Sequence, residues 1–355
     1  MDDFAWKRFP IIASDSYARP WVLIQRNLQL APNTVLAYAR ALEDYLTFCQ
    51  RTATPPHTAT REQLAIYVRD LTGRPNPRRP AAEPAAPGLA NATIQQYLTV
   101  LRLFFDYLLE CGVIERNPVG RGHFTPGRAF GGSRDRSLLP RYHSLPWIPS
   151  DDQWTALLAV VRQLSLRNRT MFAFGYTAGL RREELCSLTV DDINPGQRLI
   201  RIRAETTKNH QARVVPYAEA ASPLFRAYLA ERRHLSSARG GLFLSESRRN
   251  RAQPVSIWTW SKVIADVATS ADLPNFSTHT LRHLCLTDLA RAGWELHEIA
   301  LFAGHRSLET TRRYIHLSGR ELHAKLASGM ASIHAWRTQR LVATLTEGDA
   351  DEPRA

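Results

Sequence analysis

His279-Thr-Leu-Arg282-His283-Leu-Cys-Leu-Thr287 and, further on, Ala303-Gly304-His305-Arg306-Ser307-Leu-Glu-Thr-Thr-Arg-Arg-Tyr314-Ile-His316 belong to one stretch around which the rest of the chain is organised. Its apolar spacing and its glycines predict three helices. Ser277 and Thr278 can cap the first, which carries Leu281, Leu284 and Leu289 on one side and stops at Gly293. The second runs from Glu295 to Ala303 and stops at Gly304; Ser307 caps the third, which carries Tyr314. His279 and Arg282, three residues apart, share a helix face, so an imidazole and a guanidinium stand side by side. His305 lies at a turn from which the Tyr314 hydroxyl can reach the same point. An anionic centre suits such a group. A guanidinium is a permanently charged fork matched to two phosphate oxygens, and a histidine donates a hydrogen bond or takes a proton near neutral pH. A phenol becomes a useful nucleophile only when a base relieves its proton and cations hold the charge formed.

The His-x-x-Arg pattern alone proves little. Of 46 basic residues only Lys7, Lys208, Lys262 and Lys325 are lysines, and His210/Arg213 and His334/Arg337 match the same pattern. What distinguishes the pair His279/Arg282 is the ordered company of His305 and Tyr314, together with an arginine-bearing glycine turn upstream at 179–182. A length of 355 residues points to two domains. A formal charge of +13 points to a polyanionic partner, nucleic acid first, although an arginine-biased composition gives the same charge without one. Cys49, Cys111, Cys186 and Cys285 are far apart in apolar helical contexts and read as reduced core residues, with neither a disulfide framework nor a zinc site. No signal pattern and no apolar run of membrane-spanning length appear, so a cytoplasmic, nucleoid-associated protein without membrane partners is expected.

Along the chain, residues 1–20 show no clear periodicity and read as an N-terminal extension. A helical domain follows over 21–118. Its first helix, with Asn33 as the expected cap, sets Val35, Tyr38, Leu42, Tyr45, Leu46 and Cys49 on one stripe. Thr60-Arg-Glu-Gln63 opens a second helix as a capping box, and a third from Ala92 to Cys111 carries Ile94, Leu98, Leu101, Phe104 and Phe105. The proline-rich insert 73–88 reads as a loose loop. Residues 119–147 form a basic linker in which Arg121, Arg128, Arg134, Arg136 and Arg141 stand against the single acid Asp135. They are candidate DNA contacts, unless the linker is merely a solvated connector. The second domain, 148–343, opens with a capping box at Ser150-Asp-Asp-Gln153. Two short strands, Leu199–Ile202 and Ala212–Pro216, flank a hairpin tip carrying Lys208, and helices near 221–234 and 256–269 follow. Residues 344–355 read as a disordered tail.

Taken in order, Thr177-Ala-Gly-Leu-Arg181-Arg-Glu-Glu184-Leu, Thr207-Lys208 with Arg213-Val-Val-Pro216, His279-Thr-Leu-Arg282-His283, Ala303-Gly-His305 and Tyr314 resemble the signature of the tyrosine recombinases of the phage-integrase type. Five pieces in the right order make the likeness specific, and it extends over most of the chain. It implies a mainly α fold with a small β-sheet: a helical core-binding (SAM-like) N-terminal domain and a mixed α/β catalytic domain. Arg181 and Arg282 are similar to the two arginines that grip the scissile phosphate, and Lys208 to the hairpin lysine that protonates the departing 5′ oxygen. His279 matches the base or hydrogen-bond partner, His305 a donor to the phosphate, and Tyr314 the nucleophile. Glu184 sits where the family often has an acid that orients the arginines, and His283 stands beside the site. The hairpin departs from the family in lacking flanking glycines, and Ala303 stands where a larger apolar residue is usual.

The resemblance further implies site-specific cleavage and rejoining of double-stranded DNA through a 3′-phosphotyrosyl link, by a protein that is a monomer when free and a tetramer on two duplexes. Accessory proteins are possible partners. The segment from about Arg320 to Leu341, helix-prone, packs on a neighbouring subunit or folds back on its own domain. Attack on a phosphodiester builds charge that fixed cations stabilise. No carboxylate cluster suited to Mg²⁺ stands among these residues, so a reaction without metal, ATP or other cofactor is expected. Two alternatives use the same fold: relaxation of DNA in the manner of a type IB topoisomerase, and DNA binding without catalysis.

Overall fold

Helices form in the first half of the chain wherever apolar residues recur at intervals of three and four. The computed structural model describes residues 4–74, 88–119, 139, 146–207 and 210–312, and the chain divides into two units, Met1–Ser144 and Leu145–Ala355.

The first unit contains α1 (Pro10–Ser14), α2 (Ala18–Asn27), α3 (Pro32–Arg51), α4 (Arg61–Gly73) and α5 (Asn91–Glu110). The third of these packs against α1, α2 and α5. It starts one residue before the expected cap. Pro32 takes the first helical position and Ala31 the cap, with no side-chain capping bond from Asn33. Proline suits that position because its φ is preset and its missing N–H has no helical acceptor there. Thr60 and Gln63 do form the capping box of α4. The aperiodic stretch before residue 20 is not a loose appendage, since Phe9, Ile12 and Ala18 are buried in the same core as Leu42, Tyr45 and Phe104. The Glu43 carboxylate fixes it by accepting from the backbone N–H groups of Ile11 and Ile12, both at 2.9 Å. A five-residue helix held by a partner thirty residues away leaves no periodic trace in sequence. Asp44 grips Arg74 through two bonds of 2.9 and 2.7 Å just before the proline-rich insert, most of which lies outside the described residues. Of the four cysteines, all free, three are buried and Cys111 is exposed; it follows the last turn of α5, where the apolar stripe has already ended.

The second unit contains α6 (Asp151–Val161), α7 (Leu166–Thr177), α8 (Arg182–Cys186), the strands β1 (Ile193–Asn194), β2 (Leu199–Ile202) and β3 (Arg213–Pro216), then α9 (Ser222–Leu235), α10 (Ile257–Ser270), α11 (Thr278–Arg291), α12 (Leu296–Ala303) and α13 (Leu308–Arg312). The three strands form an antiparallel sheet in chain order, with Ile200 opposite Val215 and Ile202 opposite Arg213. Alternation turns Ile200, Ile202 and Val215 inward. The two-residue β1 is too short to carry a pattern. Packed against both α9 and α11, α7 loses Met171, Phe172 and Phe174 to the core. The fold is thus mainly helical with one small sheet, as the sequence implied. No helix among the described residues is long and apolar enough to cross a membrane.

Candidate active site

Gly179 makes the turn that presents Arg181. It sits at φ +57°, and a Cβ there would stand 3.0 Å from the Phe302 ring and 3.3 Å from Cys285 Sγ, so neither the conformation nor the space admits a side chain easily. Two residues on, Arg181 caps α8 in extended conformation. Glu184 returns its carboxylate to that cap: Oε2 accepts from the Arg181 backbone N–H at 2.9 Å and Oε1 from Arg181 Nη1 at 2.8 Å.

The same carboxylate receives a second arginine. Arg213, on β3, donates from Nη1 to Oε1 at 2.9 Å and from Nη2 to Oε2 at 2.8 Å, and its Nε donates to the Phe302 carbonyl at 3.1 Å. Glu184 is only 1% exposed. Burial alone would raise its pKa, but the two-pronged bond from Arg213, its charge, and the contacts from Arg181 outweigh that and hold the carboxyl down to about 2. It is therefore an anion at any working pH, with its lone pairs committed to the two guanidinium groups and one amide.

Arg282 rises from α11, whose start follows the expected cap: Ser277 and Thr280 close a capping box. Its side chain is 1% exposed and is locked by carbonyls at the ends of two other elements, Gly179 O at 2.6 Å and Ala303 O at 2.5 Å. Nη2 also lies 3.0 Å from His305 Nε2. An arginine only donates, so Nε2 accepts, the ring proton sits on Nδ1, and Nδ1 donates to Thr311 Oγ1 at 2.9 Å. Burial, then the charges of Arg282, Arg181 and Arg213, depress the His305 pKa to about 3, so the ring is neutral. Gly304, at φ +63°, ends α12 in the left-handed cap that aims His305 inward, and its carbonyl lies 3.4 Å from Arg181 Nη2.

The structure therefore brings Arg181, Arg282, His305 and Glu184 to one place. His279, three residues before Arg282, stands at the exposed start of α11 with its ring edge-on to His283 at 4.7 Å between centroids. Partial burial of the imidazole, followed by the nearby charges of Arg282 and Arg181, lowers its pKa. A cavity of about 130 Å³ opens beside this group, with Arg181, Arg213, His305, Gly304, Gln211 and Thr207 in its wall. Thr207 is the chain neighbour of Lys208, and its hydroxyl accepts from the Gln211 backbone N–H at 3.0 Å and donates to the Ala204 carbonyl at 2.9 Å, closing the root of the hairpin next to the cavity. Lys208 itself, Tyr314, the segment 320–341 and the linker arginines Arg121, Arg128, Arg134, Arg136 and Arg141 lie outside the described residues.

Two members of the constellation had no role assigned from sequence: Arg213, which stood within the piece Arg213-Val-Val-Pro216, and Thr311. Arg213 did match His-x-x-Arg, but with His210, which is exposed and uninvolved; the true signal was an inward strand position occupied by arginine instead of an apolar residue. Thr311, fully buried under His305, gave no signal.

The phage integrase family model matches residues 150–321, and the phage integrase N-terminal SAM-like domain model matches residues 22–112. A tyrosine recombinase of Thermosipho africanus is 26% identical over 293 residues, 81% of this chain and 90% of its own length. The tyrosine recombinase XerC of Mycobacterium bovis is 29% identical over 251 residues, 68% of this chain and 78% of that protein. Among solved structures, the Tn1549 transposon integrase in complex with a circular intermediate DNA aligns with TM-score 0.65 at 16% identity, covering 90% of this chain and 98% of that one. The XerH site-specific recombinase bound to its difH substrate gives 0.58 at 19%, covering 84% and 79%. These two show the fold. With both family models matched in order across its two units, the chain belongs to the phage integrase family of tyrosine recombinases.

Proposed function

We propose that this protein is a site-specific DNA recombinase that exchanges strands through a covalent phosphotyrosyl intermediate. The observation that carries the reading is the convergence of Arg181, Arg282 and His305, drawn from three separate elements, with Arg181 fixed by the buried Glu184 carboxylate and Arg282 by the Gly179 and Ala303 carbonyls and by His305. Guanidinium groups held this way meet the charge that develops on a phosphodiester without having to reorganise. In the step proposed, Tyr314 Oη attacks the scissile phosphorus, its proton passing to His279 or water. The P–O5′ bond breaks, and Lys208 delivers a proton to the departing 5′ oxygen. Arg181 and Arg282 hold the two non-bridging oxygens. As Arg282 turns its Nη2–H from His305 Nε2 to the phosphate, His305 takes the other tautomer, with Thr311 donating to Nδ1, and adds an Nε2–H bond to the phosphate. The bond energy stays in the 3′-phosphotyrosyl ester, so a 5′ hydroxyl from another strand reverses the step without ATP, and the fixed cations stand in for a metal.

The first unit serves in this reading as a helical clamp on duplex DNA, the linker arginines run along its backbone, and a tetramer on two duplexes completes exchange. The test uses DNA recovered as a denaturant-resistant adduct with the protein. Its free 5′ ends should accept label from polynucleotide kinase with no prior phosphatase treatment, since they are hydroxyls. Ends that need dephosphorylation first would refute the mechanism. Relaxation of any supercoiled plasmid regardless of sequence would favour the topoisomerase reading.

A further inference from the structure

The segment Ser245–Gln253, between the buried strand-like run Leu242-Phe243-Leu244 and α10, carries Arg248, Arg249 and Arg251, all exposed. Among the described residues none of the three has a hydrogen bond or a carboxylate partner. Several arginines of this unit are tied down, Arg167, Arg182, Arg203, Arg213 and Arg232 each binding a carboxylate or a carbonyl, and others such as Arg162, Arg226 and Arg233 stand unpaired among the described residues but apart; the loop is where three gather. Three free positive charges within four residues repel one another, a cost that an anionic partner removes.

The segment is also rigid where a solvated loop need not be. Ser245 N–H donates to Gln253 O at 2.7 Å and Ala252 N–H to Ser245 O at 2.9 Å, while Gln253 N–H closes on Asn250 O at 3.1 Å. Its root is clamped by the bridge between Leu244 and Pro254 and by the Val255 N–H bond to Phe243 O at 2.9 Å. Beneath it, Arg167 donates to Leu244 O at 3.0 Å. Immediately after the loop, the first turn of α10 presents Trp258, 72% exposed. The Arg182 guanidinium lies 6.0 Å from the indole centroid, and Arg182 also donates to Ser261 on α10 at 2.9 Å. Since Arg182 follows Arg181 in the chain, α10 packs beside the candidate active site, and the loop leads into that helix.

We infer that the Ser245–Gln253 loop is a preformed grip for the phosphate backbone of duplex DNA, using Arg248, Arg249 and Arg251. The inference rests on the recombinase reading above and adds to it a contact remote from the reacting phosphate. Ordering the loop in advance spares the entropy of fixing it on binding, so the three charges act at once. Each phosphate contact releases condensed counterions, contributing about 0.9 to the slope of log K against log salt.

The experiment measures binding of the full chain to a fluorescent duplex of mixed sequence by anisotropy across a KCl series. The triple variant Arg248→Gln, Arg249→Gln, Arg251→Gln should lower the salt slope by about 2 to 3. A charge-matched control, Arg198→Gln, Arg239→Gln, Arg291→Gln, removes arginines that already have the acidic partners Glu219, Asp191 and Asp288; its slope should match wild type. Parallel lines for wild type and the loop variant overturn the inference while leaving the recombinase reading standing, as does an equal fall in the control, which would reduce the effect to net charge. A wild-type chain with no salt-dependent affinity for duplex DNA overturns both.

Discussion

Glu184 is the residue on which the site's geometry depends most. A single buried carboxylate joins the caps of α8 and β3, and through Arg213 it reaches the last turn of α12. Held at about 2 against an ordinary 4.5, it contributes stability that is complete above pH 4.5 and is lost as pH falls toward 2, on the order of 3 kcal/mol at neutral pH. His305 works in the same direction. It stays neutral in the fold to about pH 3, whereas an unfolded histidine takes a proton near 6.5, so acid begins to favour the unfolded chain from pH 6.5 downward. Urea unfolding should therefore show stability declining from pH 6.5 and more steeply below 4.5; a profile flat from pH 6.5 to 4.5 would contradict the neutral His305, and one that does not steepen between 4.5 and 2 would contradict the buried Glu184 anion. Arg213→Ala strands Glu184 with one guanidinium partner and should cost about 3–5 kcal/mol at pH 7, because a buried charge is left under-compensated. Arg213→Lys, with one ammonium in place of a fork, should recover only part of it. A loss under 1 kcal/mol for Arg213→Ala would mean that the bidentate pair is not structural. Arg181, Arg282, His305 and Glu184 were legible in sequence because each sits in a short motif with fixed company. Arg213 stood in one piece of the family likeness but was given no role, because what defines it is a partner 29 positions away.

Among the elements, α12 and the turn after it matter most. The chain leaves that helix at Gly304 in a left-handed conformation that exposes three successive carbonyls, Phe302, Ala303 and Gly304, to Arg213, Arg282 and Arg181 in turn. One short turn thereby sets three guanidinium groups and aims His305. A Cβ on Gly304 would stand 3.1 Å from Arg213 Cδ and Nη1. Gly304→Ala should therefore cost about 1–3 kcal/mol through strain and lower the yield of covalent adduct more than its stability loss explains; an adduct yield equal to wild type at full folding would detach the turn from the chemistry. This helix and its glycine stop were readable from sequence, as were the capping boxes at Thr60 and Ser150 and the cap at Ser277, since each is a local signal. The anchored N-terminal stretch and the two-residue β1 were not, because long-range partners and not propensity hold them.

At the scale of the whole molecule, the chain joins a helical unit with its own aromatic core to a second unit in which a three-stranded sheet and eight helices surround the candidate site, counting the described residues. Composition alone had pointed to a polyanion through a charge of +13, and the structure adds where part of that charge stands free, on the loop before α10. The arrangement has a use only if a nucleophile reaches the phosphate that Arg181 and Arg282 would hold. The most direct measurement is to digest the protein–DNA adduct with nuclease and protease and locate the nucleotide by mass spectrometry. The wild-type chain should carry a 3′-linked nucleotide on Tyr314, and Tyr314→Phe should form no adduct while still binding DNA. An adduct that persists in Tyr314→Phe, or a nucleotide found on another side chain, would contradict the assignment.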